Sequence, residues 1–154
     1  MIRKTDDIII RTVARILVPF IQIYALYVIM HGHYSPGGGF QGGVILGASI
    51  ILLLITHGLV ETTKKISERA IAIFSSIGVF IYAGIGVLCL LLYGNFLDYS
   101  KLSVILNVTP AEARSMGILG VEIGVSFTVM AIMISIFISI STTEDHSKYD
   151  KEHY

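Results

Sequence analysis

Charge is scarce in this 154-residue chain. Asp, Glu, Lys and Arg make up 14% of it, against 54% hydrophobic residues, whereas an ordinary soluble domain is about 25% charged. So few charges cannot both fill a core and leave a solvated shell around it. A bilayer can cover the apolar surface instead. The charges also balance, 11 basic against 11 acidic, and form no basic run, which excludes nucleic-acid binding through a positive field. Cysteine occurs once, at Cys89, which excludes a disulfide framework and argues against a Cys/His zinc cage. Tryptophan is absent, so tyrosine must do any aromatic anchoring at the membrane interfaces.

What is abundant is isoleucine, at 26 positions, gathered into four apolar stretches. Spanning roughly 30 Å of hydrocarbon takes about 20 helical residues, and helices are the only option for so few spans because lipid satisfies no exposed backbone group. The stretches predict helices over about 12–30, 43–60, 71–93 and 110–140, forming one membrane domain over 1–140 with a polar tail over 141–154. The first stretch reads as retained rather than as a signal peptide, since it is long, carries Pro19 and Gln22, and lacks a small-x-small cleavage site. Thr109-Pro110-Ala111-Glu112 reads as a capping box opening the last helix. That helix would be about 46 Å long to position 140 at about 1.5 Å per residue, so it must tilt or protrude. Placing both termini in the cytoplasm puts nine basic residues inside and two outside, which predicts an N-in, C-in topology.

The 31–43 run is the most unusual: His31-Gly32-His33-Tyr34-Ser35-Pro36-Gly37-Gly38-Gly39-Phe40-Gln41-Gly42-Gly43. It formally contains a dinucleotide fingerprint, but that needs a preceding strand and a following acidic residue; here a membrane helix precedes it and no acid appears until Glu61. It reads either as a tight reversal between two helices, where glycine permits positive φ and close approach, or as irregular backbone lining a wet cavity or packing into another subunit. His31 and His33 stand two residues apart, share no helical face and lack a carboxylate or thiol companion, so hydrogen bonding at the interface is favoured over metal ligation. His57, near the inner end of the second helix, is read the same way, with a proton relay as the alternative.

Glu122 is the sharpest single residue. It lies about 9 Å down the apolar run of the fourth helix at about 1.5 Å per residue, where a carboxylate faces the bundle interior, a partner or water. Neither Arg114 nor Arg15 is well placed to pair with it, so the residue reads as structural, through a buried hydrogen bond or an inter-subunit tether, or as part of an ion or proton path. Gly120, Gly124 and Thr128 form a small-xxx-small ridge roughly 160° round the helix from Glu122 at about 100° per residue, so this helix needs protein on both sides. Arg15 and Gln22 share a face of the first helix, with Pro19 between them; snorkelling to the inner surface is the plain reading of Arg15. Tyr82, Gly86, Cys89 and Tyr93 align as a packing seam on the third helix. No nucleophile–base pair, phosphate cradle or haem site stands out, and no cofactor or metal ligand is expected in the chain. Its polar faces call for partner chains.

The block from Gly32 to Gly43, together with Arg114-Ser115-Met116-Gly117-Ile118-Leu119-Gly120-Val121-Glu122-Ile123-Gly124-Val125 and with Leu97-Asp98-Tyr99 before it, resembles the MnhB/MrpB family. These are small subunits of multi-subunit Mrp-type Na+/H+ antiporters, with relatives in the antiporter module of archaeal membrane-bound hydrogenases and their sulfur-reducing kin. The resemblance covers about 7–140. It implies an all-α subunit with four transmembrane helices packed into a larger complex of the prokaryotic cytoplasmic membrane, surrounded by other membrane subunits and lipid, with Na+ and H+ as the transported ions and no catalysis of its own. It marks His33, Pro36, Gly37, Gly38, Gly39 and Glu122 as the positions to test. Isoleucine abundance with two Gln, two Asn and one Cys leans towards a thermophile, hence towards the hydrogenase-type complex. The alternatives are a stand-alone antiporter subunit or a purely structural assembly subunit. An independent small transporter fits least, since no inverted repeat is present.

Overall fold

The computed structural model describes the backbone of residues 4–34, 37–57 and 67–152, and the side chains of 8–34, 37–56, 67 and 69–141. The described residues form four long helices: α1 (Lys4–Met30), α2 (Gly39–His57), α3 (Glu68–Leu91) and α4 (Pro110–Glu152). A 3-10 turn (Tyr99–Leu102) and a one-turn helix (Ser103–Leu106) lie between α3 and α4. Each long helix holds a stretch apolar and long enough to cross a membrane: Ile8–Met30, Gly39–Thr56, Arg69–Leu91 and Pro110–Ser141. The all-helical, four-span architecture expected from composition is therefore present.

The helices pack as a row in the order α1, α2, α4, α3. α1 turns Ala14, Val18, Ala25, Val28 and Ile29 inward, at the three- and four-residue spacing of one helical face. Gly42 of α2 fits against Ala25 and Ile29. At the opposite end of the pair, the Arg11 guanidinium donates to the Thr56 carbonyl at 3.0 Å, satisfying one of the carbonyls left open at the end of α2. α1 and α2 are thus antiparallel.

α4 is the central element, and its two faces are used differently. Glycines at four-residue spacing on α2 seat on one face, with Gly39 against Glu122, Gly43 against Ser126 and Gly47 against Met130 and Met133. The rising order on both helices makes them parallel. On the other face Gly124 would place a Cβ 2.8 Å from the Gly78 carbonyl and 3.1 Å from Ile81, while Gly120 faces Ile85. Those pairs run in opposite order, so α3 is antiparallel to α4. Thr128 Oγ1 donates to the Ser75 carbonyl at 3.3 Å across the same seam. The expected two-sided burial of α4 is met within the chain by α2 and α3; α1 and α3 lie at the ends of the row and carry many exposed apolar side chains.

Helix limits differ from expectation where glycine or a cap intervenes. α2 begins at Gly39 instead of about 43, because packing on α4 outweighs the poor helix propensity of its leading glycines. α3 opens with Ser67 Oγ accepting from the Ala70 amide at 3.1 Å and ends before Tyr93. Gly94 N–H reaches the Cys89 carbonyl at 3.1 Å, Tyr93 N–H reaches Leu90 at 3.1 Å, and Tyr93 has φ 61°, the Schellman pattern. Tyr93 thereby leaves the seam expected for it and is 98% exposed. Tyr82 and Gly86 instead receive Phe96, and Cys89 is buried with Leu102 and Ala113. The α4 capping box is present, with Thr109 N–H donating to Glu112 Oε2 at 3.0 Å and Glu112 N–H donating to Thr109 Oγ1 at 3.4 Å. The α4 backbone continues helically through the tail to Glu152.

Candidate functional site

Two sequence blocks about ninety residues apart meet at Glu122. After α1, Tyr34 N–H closes a turn on the His31 carbonyl at 3.0 Å. The chain then enters α2 through Gly37 at φ 148° and Gly38 at φ 76°, values that L side chains rarely adopt. This tight reversal sets Gly32, Gly38 and Gly39 against Glu122. A Cβ on Gly32 would overlap both carboxylate oxygens; on Gly38 it would lie 2.7 Å from Oε1; on Gly39 it would overlap the Glu122 backbone. The site is therefore a carboxylate in a glycine cradle, beside the first turn of α2, whose leading N–H groups have no partner within the helix.

Hydroxyls embedded nearby are satisfied on their own helices. Ser126 Oγ donates to Ile123 at 2.8 Å, Ser49 Oγ to Leu46 at 2.7 Å and Thr128 Oγ1 to Gly124 at 3.1 Å. Among the described residues, Glu122 Oε2 and His33 Nδ1 are the buried side-chain polar atoms left without a hydrogen bond. Gly32, the residue before His33, lies against the Glu122 carboxylate, which places both groups in one neighbourhood. His33 packs on Tyr34 with ring centroids 4.1 Å apart, and His31 stacks on Tyr27 at 4.6 Å. Tyr99, from the 94–109 connection, covers Gly117 and is influenced by Glu122; burial pushes its phenol above the ordinary value.

Of the positions singled out in the sequence, Glu122, His33, Gly38 and Gly39 come together. Gly37 belongs to the same reversal and approaches the Gln41 side chain. Arg15 is exposed and outside the cluster. Pro36 and the His57 side chain lie outside the described residues. Gly120, Gly124 and Thr128 form the α3 contact, on the side of α4 away from Glu122. Three features escaped sequence reasoning. The Gly39, Gly43, Gly47 ridge stands at four-residue spacing, and a helix beginning at about 43 divides it. Gly78, which answers Gly124, carried no pattern of its own. The proximity of His33 to Glu122 needs the reversal and cannot be read from either helix. No group of three or more His, Cys, Asp or Glu side chains suited to a metal occurs among the described residues.

Residues 9–135 match the family described as a domain related to the MnhB subunit of Na+/H+ antiporter. The chain is also similar to antiporter subunits named mnhB2 from Staphylococcus aureus strains Newman, JH1 and USA300, each 25% identical over 138 residues, covering 90% of this chain and 96% of the relative. The family match spans both blocks that build the Glu122 cradle, and the chain belongs to the MnhB family.

Proposed function

We propose that this chain is a non-catalytic integral membrane subunit of a multi-subunit Na+/H+ antiporter complex and that Glu122 lies on, or directly gates, the ion path. The observation that carries this reading is the cradle itself. A carboxylate deep in an apolar span is costly, yet here three glycines leave room for its head group and it has no hydrogen bond at Oε2. A purely structural tether would be bonded. Family membership and the naming of its curated relatives as antiporter subunits support the setting. They favour an antiporter over the hydrogenase-type module, for which only composition speaks. Other membrane subunits then cover the exposed apolar faces of α1 and α3, and Na+ and H+ are cargo. The excess of basic residues on the side of the termini supports an N-in, C-in orientation in the cytoplasmic membrane of a prokaryote.

The test is Glu122→Gln in the assembled complex. Na+-dependent proton movement in vesicles should fall about a hundredfold or more, the scale of losing a directly acting proton-transfer group, while the same polypeptides co-purify in mild detergent. Undiminished exchange with intact assembly would overturn the ion-path role. Co-purification of a nickel–iron subunit would move the chain into a hydrogenase complex.

A further inference from the structure

The reading of Glu122 as an ion-path residue leaves open which ion it handles and what stands opposite it. We propose that Glu122 and His33 form a proton-exchange pair: a proton passes between His33 Nδ1 and Glu122 Oε2 across a bridging water, while Na+ travels elsewhere in the complex. This rests on the proposed function above and narrows it.

Three observations carry the assignment. First, the two buried side-chain polar atoms without partners among the described residues belong to these two residues, and Gly32, which precedes His33, lies against the Glu122 carboxylate. Buried polar groups are normally paired, so two adjacent orphans call for a shared proton or a bridging water. Secondly, the donor set suits a proton and not a hard cation. Hard cations take several oxygen ligands, whereas among the described residues no group of three or more His, Cys, Asp or Glu side chains gathers here. The first turn of α2 adds the positive end of a helix dipole, which opposes a bound cation and favours an anionic carboxylate. Thirdly, the groups differ in how they are held. Glu122 is fixed on the central helix, while His33 rides on the reversal between α1 and α2, beside the exposed Tyr34. A histidine there can exchange with water outside and deliver inward.

The other titratable groups around the pair are few. The reversal contributes His31, which stacks on Tyr27. The 94–109 connection contributes Tyr99, with Tyr82 of α3 beyond it. α2 contributes glycines and the neutral Gln41, and α4 contributes Arg114 two turns away. The step conserves charge: the imidazolium loses a proton and becomes neutral as the carboxylate gains it, and the reverse transfer restores both.

The experiment compares Glu122→Gln, His33→Gln, His33→Asn and Glu122→Gln/His33→Gln in the assembled complex, with co-purification as the check on assembly. The readouts are the pH profile of Na+-driven proton movement and the carboxylic-acid infrared band that Glu122→Gln removes. Either His33 variant is expected to cut exchange about a hundredfold, to shift the pH profile, and to change the pH dependence of that infrared band. The double variant should be no slower than Glu122→Gln alone, because a shared step is lost once. Multiplying losses in the double variant, or a wild-type pH profile and infrared titration in both His33 variants, would overturn the pair while leaving Glu122 on the ion path. Full exchange in Glu122→Gln would instead overturn the underlying reading.

Discussion

Gly39 lies so close to Glu122 that its missing side chain is what allows α2 to begin where it does: a Cβ there would overlap the Glu122 backbone. The carboxylate position is thus set by a helix–helix contact rather than by a hydrogen bond, and the consequences are open to mutation.

Gly39→Ala should destabilise the α2–α4 contact by about 1–3 kcal/mol, the usual cost of overpacking a close seam. Gly38→Ala should do at least as much, since φ 76° is strained for alanine and the carboxylate crowds it. Gly84→Ala is the control: its Cβ would meet nothing within 4 Å, and it should be neutral or gain up to about 1 kcal/mol in helix propensity. Unfolding of the detergent-solubilised protein, followed by circular dichroism against denaturant, ranks the three. Equal stability for all would refute the seam.

On the opposite face of α4, Gly124 and Gly78 face each other through backbone atoms, whereas Gly120 meets only the end of the Ile85 side chain. Gly124→Val and Gly78→Val should therefore lower the yield of folded protein sharply, and Gly120→Ala should be tolerated. Size-exclusion profiles decide this, and the reverse ranking would show that α3 packs elsewhere.

The capping box fixes where α4 begins. Thr109→Ala removes the hydroxyl that accepts from the Glu112 amide and donates to the Glu112 carboxylate, and should cost about 1 kcal/mol. Thr109→Ser should retain most of this. Amide hydrogen exchange over 110–114 measures the fraying directly.

Asp98 sets a pH response in the connection between α3 and α4. The Ser100 hydroxyl donates to its carboxylate and holds it below its ordinary value of 3.8. A depressed carboxylate contributes stability that is fully present above the unfolded value and is lost as pH falls through the folded one. Ser100→Ala should move the Asp98 titration upwards towards its ordinary value, so that the acid-dependent loss of stability in the connection shrinks. Carbon-13 NMR of labelled aspartate reports this, and an unmoved titration would remove the hydroxyl as the cause.

The sequence by itself determined the class of molecule. Low charge, four apolar runs and no alternative way to satisfy backbone groups in lipid leave little besides four helices. The Thr109–Glu112 cap, the Gly124 ridge and the depth of Glu122 in its apolar span were also legible, because each is written at helical spacing within one element. Tertiary packing alone makes α4 central, seats Gly39, Gly43 and Gly47 along it, and brings Gly32, next to His33, against Glu122. Those relations depend on which helices are neighbours and on two positive-φ glycines in a reversal. Hydrophobic periodicity fixes which face of a helix is buried, but not which other helix buries it.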